Sequence, residues 1–232
     1  MKKILITAVI VPVSILFHAQ QNTSRESYFR DVRFNQDMEK TKNGEKKLGY
    51  VDIEGSPYYN PNFLPAKFGN SSEIHPIRYD CVADTVEFLN GNDIYKIPKE
   101  NIRKDSDLSK FTFEESHETL ILVDTYNEFS GYYFLITNGK NQLLKKATIE
   151  FHPEVPAPNH LIKAIPARFE KPKTTYFIKT ENDFIKIPKT NEEFLNHFSE
   201  NKDKINDFLK KNKIKLKKES DLIKLASFLN AE

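Results

Sequence analysis

The sequence predicts a mainly β protein, an antiparallel meander of barrel- or sandwich-like form, followed by a C-terminal α-helical segment of two to three helices (α+β overall). Between Ile74 and Phe151 the chain runs through short segments rich in β-branched and aromatic residues, divided by turn residues and never alternating with helical patterns. After Lys189 the apolar spacing lengthens from two to about 3.6 residues. A third observation is a repeat: NDIYKIPKEN at Asn92–Asn101 returns as NDFIKIPKTN at Asn182–Asn191, with seven of ten positions identical.

Residues 1–19 read as a signal peptide. Lys2 and Lys3 precede an apolar core from Ile4 to Phe17, and Ala19 offers a small residue for cleavage. That core is shorter than the roughly 20 residues a spanning helix needs. Its removal leaves 33 basic and 33 acidic side chains, so the charge balance gives no argument for a nucleic-acid partner. Residues 20–47 form a polar, partly disordered lead-in, with EKTKNGEKK as its most soluble part. A β domain then spans 48–189 and a helical cap 190–232.

Within the β domain, LGYVDIEGSPYYNPNFLPAKFGNSS holds too many Pro and Gly for a long helix. It predicts short strands and turns over one end of a core, plugged by Tyr58, Tyr59, Phe63 and Phe68. IHPIRYD and CVADTVEFL read as strands around a turn near Asp80, and TLILVDTY, GYYFLIT and QLLKKATIEF as three more. Asn138-Gly139 marks a hairpin between the last two. Five of the twelve prolines crowd the loop 152–172, which excludes a central strand or a helix there. Thr190 and Glu193 fit a capping box, and Ser199 and Ser220 are expected to cap two further helices.

In each copy of the repeat the pattern predicts strand, polar turn, strand. Tyr95 and Ile97 share one face, as do Ile185 and Ile187, while Lys96 and Lys186 point to water and Pro98 and Pro188 end the pairing. Duplication and independent reuse of one local solution both fit.

No catalytic, cofactor-binding or metal-ligating residue is nominated, and no cofactor is expected. GxSxG, P-loop, GxGxxG, HExxH and CxxC patterns are all missing. Cys81 is the single cysteine, which excludes an intramolecular disulfide, and its surroundings read as a strand. His152 and His160 stand eight residues apart without the spacing of a metal site, and EESHE around His117 reads as a solvated turn. Asp84-Thr85-Val86 fits a short O-glycan acceptor pattern. Lys210, Lys211, Lys213, Lys215, Lys217 and Lys218 read as a solvated face, with an anionic polymer or surface as the competing partner.

The ending FHAQ, the stretch EGSPYYNPNF, the pair IRYDCVADTVEFLNGNDIYKI and the tail INDFLKKNKIKLKKESDLIKLASFLN resemble a group of exported β-rich proteins of flavobacterial type. The likeness departs at Asp80, where the pattern carries Asn after RY. It implies export and a β-rich fold, and no activity. The resulting expectation is a non-enzymatic binding or interaction module of the cell envelope, periplasmic or extracellular, with no transmembrane anchor after signal cleavage. Its partner would be an envelope component or a small apolar ligand, with no nucleic acid expected. The alternatives are a hydrolytic enzyme with a site near the 152–160 loop, or a basic-tail module for anionic envelope polymers.

Overall fold

The structure, a computed structural model, describes residues 53–91, 93–97, 99, 109–125, 127–159, 161–198 and 201–231. The expected signal peptide and lead-in lie outside the described residues. Everything below belongs to one compact unit, Lys46–Glu232.

The chain forms the expected β-rich fold with C-terminal helices. Ten strands make one antiparallel sheet: β1 (Leu64–Phe68), β2 (Ile74–Asp80), β3 (Thr85–Asn90), β4 (Asp93–Ile97), β5 (Lys110–Phe113), β6 (Thr119–Val123), β7 (Gly131–Thr137), β8 (Gln142–Thr148), β11 (Lys173–Lys179) and β12 (Phe184–Lys186). Between β8 and β11, β9 (Phe151–His152) and β10 (Arg168–Phe169) pair separately. Across the sheet the order is β12-β11-β8-β7-β6-β5-β1-β2-β3-β4. Two meanders therefore meet at one seam, where Ala66 of β1 faces Phe113 of β5. The two copies of the repeat are the β3–β4 and β11–β12 hairpins, at opposite ends of the sheet.

Strand alternation sends Ile77, Tyr79, Phe88, Phe111, Tyr132 and Phe134 into one core, each at most 3% exposed. Tyr79 on β2 meets Tyr132 and Phe134 on β7, with ring centroids 6.1 Å apart in both cases. Those strands are four places apart in the order, roughly 19 Å in a flat sheet at ~4.8 Å per strand. The sheet must coil for these rings to touch. It does not close into a barrel, since β12 and β4 are not paired with each other.

Three helices cover the β12 end: α1 (Asn191–Leu195), α2 (Lys202–Lys211) and α3 (Glu219–Ala231). Phe194, Ile205, Leu209, Leu222, Leu225 and Ala226 pack with Leu143 of β8 and Ile178 of β11. Burial of each such aliphatic side chain contributes about 1.5–3 kcal/mol, which fixes the helices to the sheet. Thr190 caps α1, its hydroxyl accepting from the Glu193 N–H at 3.3 Å. The other two expected caps differ. Asn201 occupies the N-cap of α2, and Ser199 lies outside the described residues. Ser220 stands inside α3, because the turn bond from Asp221 N–H to Lys218 C=O already starts the helical winding there.

Two further features differ from the sequence reading. The Gly- and Pro-rich stretch supplies β1, a strand in the middle of the sheet, and not only a cover for one end. Pro65 and Pro76 are tolerated because they face each other across β1 and β2, and the Pro65 carbonyl still accepts from Glu114 N–H at 2.9 Å. Strand β5 is not among the strands the sequence pattern predicts, because four residues are too few to show a period.

Candidate functional site

Beside β2 and β5 lies a cleft of about 240 Å³. Tyr59, Ile77, Tyr79 and Phe113 give its apolar wall, and Arg78, Glu115 and Glu118 its charges. Lys145 Nζ donates to Glu118 Oε1 at 3.0 Å, Tyr59 OH donates to the same oxygen at 3.3 Å, and Glu219 Oε2 stands 4.0 Å from the ammonium. Burial opposes the charge on Lys145, but Glu118, Tyr59 and Glu219 outweigh it and hold the ammonium above its ordinary range. Arg78 is equally committed. It pairs with Glu87 at 2.8 Å, and its guanidinium lies 3.8 Å from the Tyr58 ring centroid and 4.3 Å from that of Phe63. Small-molecule sites usually enclose about 300–1,000 Å³, so this cleft suits one side chain better than a whole small ligand.

Neighbouring residues on β8 point to opposite faces, and Lys146 serves a second cluster. Its Nζ donates to Asp84 Oδ1 at 2.6 Å, and Asp84 also accepts from Tyr79 OH at 2.6 Å and Lys99 Nζ at 3.0 Å. Desolvation lowers the Lys146 ammonium pKa even against the Asp84 charge. Asp84 sits at φ 52° in the β2–β3 turn and fills the space beside Gly131, where an added Cβ would clash with its carboxylate. These groups tie the turn to the far meander. Their mutual saturation makes them structural.

Cys81 is 5% exposed in the same turn. Burial, with the charge of Asp80 adding to it, pushes its thiol up to about 12. A thiol of that kind is not an activated nucleophile. Thr85, the O-glycan acceptor of the sequence pattern, has its hydroxyl oxygen buried without a hydrogen-bond partner among the described residues, out of reach of a transferase. His117 lies exposed at φ 56°, as a solvated turn requires, but Glu118 turns inward to Lys145.

Of His117 and His152, the two histidines singled out above that lie among the described residues, His152 meets an acid. Its Nε2 stands 2.8 Å from Glu170 Oε1 and 3.9 Å from Glu150 Oε1. The three ligand atoms lie within 4.8 Å of one another. Lys173 Nζ already occupies the centre of charge, 2.7 Å from Glu170 and 3.0 Å from Glu150. Hydrogen bonding to Lys173, then to His152, holds the Glu170 carboxyl below its usual range. Among the described residues no hydroxyl or thiol is bonded to His152, and His160 lies outside them.

This cluster is the root of an arm. β9 and β10 pair at its base, and Val155 and Ile165 exchange two 2.9 Å backbone hydrogen bonds farther out. Among the described residues nine large hydrophobic side chains are exposed, and five of them, Phe151, Val155, Leu161, Ile162 and Ile165, belong to this arm. Leu161 is 82% exposed. The sequence marked the segment by its prolines, and the signal missed was the apolar LIKAI between them.

Comparison with protein-family models, with curated proteins and with solved structures finds no match to this chain. No described helix is long and apolar enough to cross a membrane.

Proposed function

We propose that the protein is an exported, non-enzymatic interaction module of the cell envelope, and that the arm from Phe151 to Phe169 docks into an apolar groove of a partner protein. The observation that carries this reading is the concentration of exposed apolar side chains in one projecting element. Exposed hydrophobics scattered singly are ordinary, whereas a cluster on one loop marks an interaction surface. Pro153, Pro156, Pro158 and Pro166 restrict the backbone, which lowers the ordering entropy lost on docking. A macromolecular partner is favoured over a small apolar ligand because the cleft is small and Arg78 and Glu118 on its wall are already paired. The hydrolytic alternative is weakened by the same chemistry: the Cys81 thiol is buried and raised, and His152 faces two glutamates with no nucleophile bonded to it among the described residues.

The test is site-specific photo-crosslinking from Ala164 in cells expressing the full chain, with fractionation and N-terminal sequencing of the product. A single adduct is expected in the envelope fraction, on a chain whose N-terminus follows Ala19. The purified partner should bind the wild-type protein and lose the Leu161→Asp, Ile162→Asp variant by about a hundredfold. Equal binding of the two would sink the arm reading. A cytoplasmic product with residues 1–19 intact would sink export.

A further inference from the structure

The stretch KKNKIKLKK, Lys210–Lys218, joins α2 to α3. Lys213 adopts φ 50°, and the Ile214 N–H reaches back to Leu209 C=O at 3.0 Å, which turns the chain out of α2. Ile214 and Leu216 then drop into the helical core at 5% and 6% exposure. With these two side chains pinned, Lys215 between them and the lysines on either side are held outward. All six, Lys210, Lys211, Lys213, Lys215, Lys217 and Lys218, are exposed.

The acids nearby do not neutralise them. Glu219 accepts from Tyr176 OH at 2.9 Å and faces Lys145, while Asp221 is 8% exposed, accepts from the Lys215 backbone N–H and pairs with Lys224. Asp203 and Asp207 remain on α2, and no ion pair joins any of the six lysines to a carboxylate among the described residues. The whole chain carries a formal charge of only +2, so this density is local and does not reflect a generally basic protein.

We propose that the α2–α3 connector is a docking surface for the phosphate headgroups of an anionic phospholipid bilayer. Charge complementarity carries the choice of partner. Lysine ammoniums are strongly hydrated point charges that act without the planar fork of Arg. The connector also contains no aromatic residue on which a base would stack. Such a surface suits a dense plane of phosphates that demands no register. The rigid anchoring by Ile214 and Leu216 lets the lysines meet that plane without first being ordered. This inference uses none of the arm residues and stands or falls separately from the arm.

The experiment is vesicle co-sedimentation with protein purified from cells expressing the full chain. Binding is expected to vesicles containing phosphatidylglycerol and not to pure phosphatidylcholine, and to weaken at least tenfold between about 0.05 M and about 0.5 M salt. Lys211→Glu, Lys215→Glu, Lys217→Glu should lower affinity about a hundredfold or more. Lys110→Glu, Lys140→Glu, Lys171→Glu makes the same charge change elsewhere and should stay within about threefold of wild type. All six positions are exposed, so unchanged melting will show that both variants fold. Leu161→Asp should leave vesicle binding unaltered. Equal loss in the two triple variants, salt-insensitive binding, or binding to soluble dextran sulfate without binding to vesicles would overturn the proposal.

Discussion

The two copies of the repeated decapeptide build the same hairpin in different surroundings. Phe88 faces Tyr95 in the first copy, and Ile178 faces Ile185 in the second; Leu89 with Ile94 and Lys179 with Phe184 repeat the match. The inner faces are apolar in both, with Tyr95, Ile97 and Ile185 buried and Ile187 packed on the helices. The outer faces diverge. Opposite Lys96 stands Glu87, 4% exposed and paired with Arg78; opposite Lys186 stands Phe177, which packs with Tyr133, Phe184 and Phe129. The decapeptide specifies register, and the strand beside it decides whether charge or aromatic packing holds the outer face.

Removing the outward partner in each copy tests that division. Phe177→Ala should cost about 3–5 kcal/mol, because it empties the middle of an aromatic cluster. Glu87→Ala should cost about 3 kcal/mol by leaving Arg78 unpaired among Tyr58 and Phe63. Pairing it with Arg78→Met should restore most of the loss, a recovery that no second change beside Phe177 would give. Urea titrations of the three variants measure this, and an additive double variant would break the contrast.

The turns give a smaller contrast. Gly91 holds φ 62°, whereas Glu181 at the matching place is not among the left-handed residues; there the Thr180 N–H donates to Asp183 C=O at 2.9 Å and the Thr180 hydroxyl accepts from the Asp183 N–H at 2.8 Å, closing the loop instead. Gly91→Ala should cost about 1–2 kcal/mol from conformation alone, since nothing lies within 4 Å of the added Cβ. Glu181→Ala should change stability by less than about 0.5 kcal/mol. Similar values for both would mean that the turns are equivalent.

The smallest contrast concerns pH. Asp80 and Glu170 precede the two hairpins at the same ninety-residue offset. Desolvation raises the Asp80 carboxyl above 3.8, against two backbone N–H bonds that oppose it. The folded state then keeps a proton that the unfolded chain releases, so this group removes stability as pH rises from 3.8 through its folded value. Glu170 runs the other way: lowered from 4.5 by Lys173 and His152, it adds stability above 4.5 that fades as pH falls through its folded value. Asp80→Asn should flatten the first slope and Glu170→Gln the second, read from urea midpoints between about pH 3 and 7. Slopes of one sign in both would refute the assignment.

The parts legible in the sequence were those written in local spacing. GYYFLIT is β7 residue for residue, Thr190 caps α1, and each copy of the repeat forms strand, turn and strand. What escaped depends on partners far along the chain. Leu64–Phe68 looked peripheral because its proline, Pro65, is tolerated only by a particular alignment with β2, and the seam with β5 leaves no trace in either segment. The adjacent Lys145 and Lys146 in an apolar strand were a readable sign of two acid partners, yet the half-buried Glu118 and Asp84 could be named only once the sheet coiled. The arm was marked as irregular by its prolines, while its outward apolar side chains required knowledge of what the core had already taken in.

The failure of the sheet to close has a consequence for the protein in a crowded solution. An open sheet ends in strands whose outward amides and carbonyls invite another chain to add itself, and growth of that kind leads to aggregates. Among the described residues no strand lies beyond β4 or β12. Each of these strands runs into the same Ile-Pro-Lys, Ile97-Pro98-Lys99 and Ile187-Pro188-Lys189. Proline removes the amide that an incoming strand would seek, and beyond β12 the exposed Lys189 makes the approach of a like copy electrostatically unfavourable. A closed barrel would have no use for such a stop, and an open sheet needs one at each end.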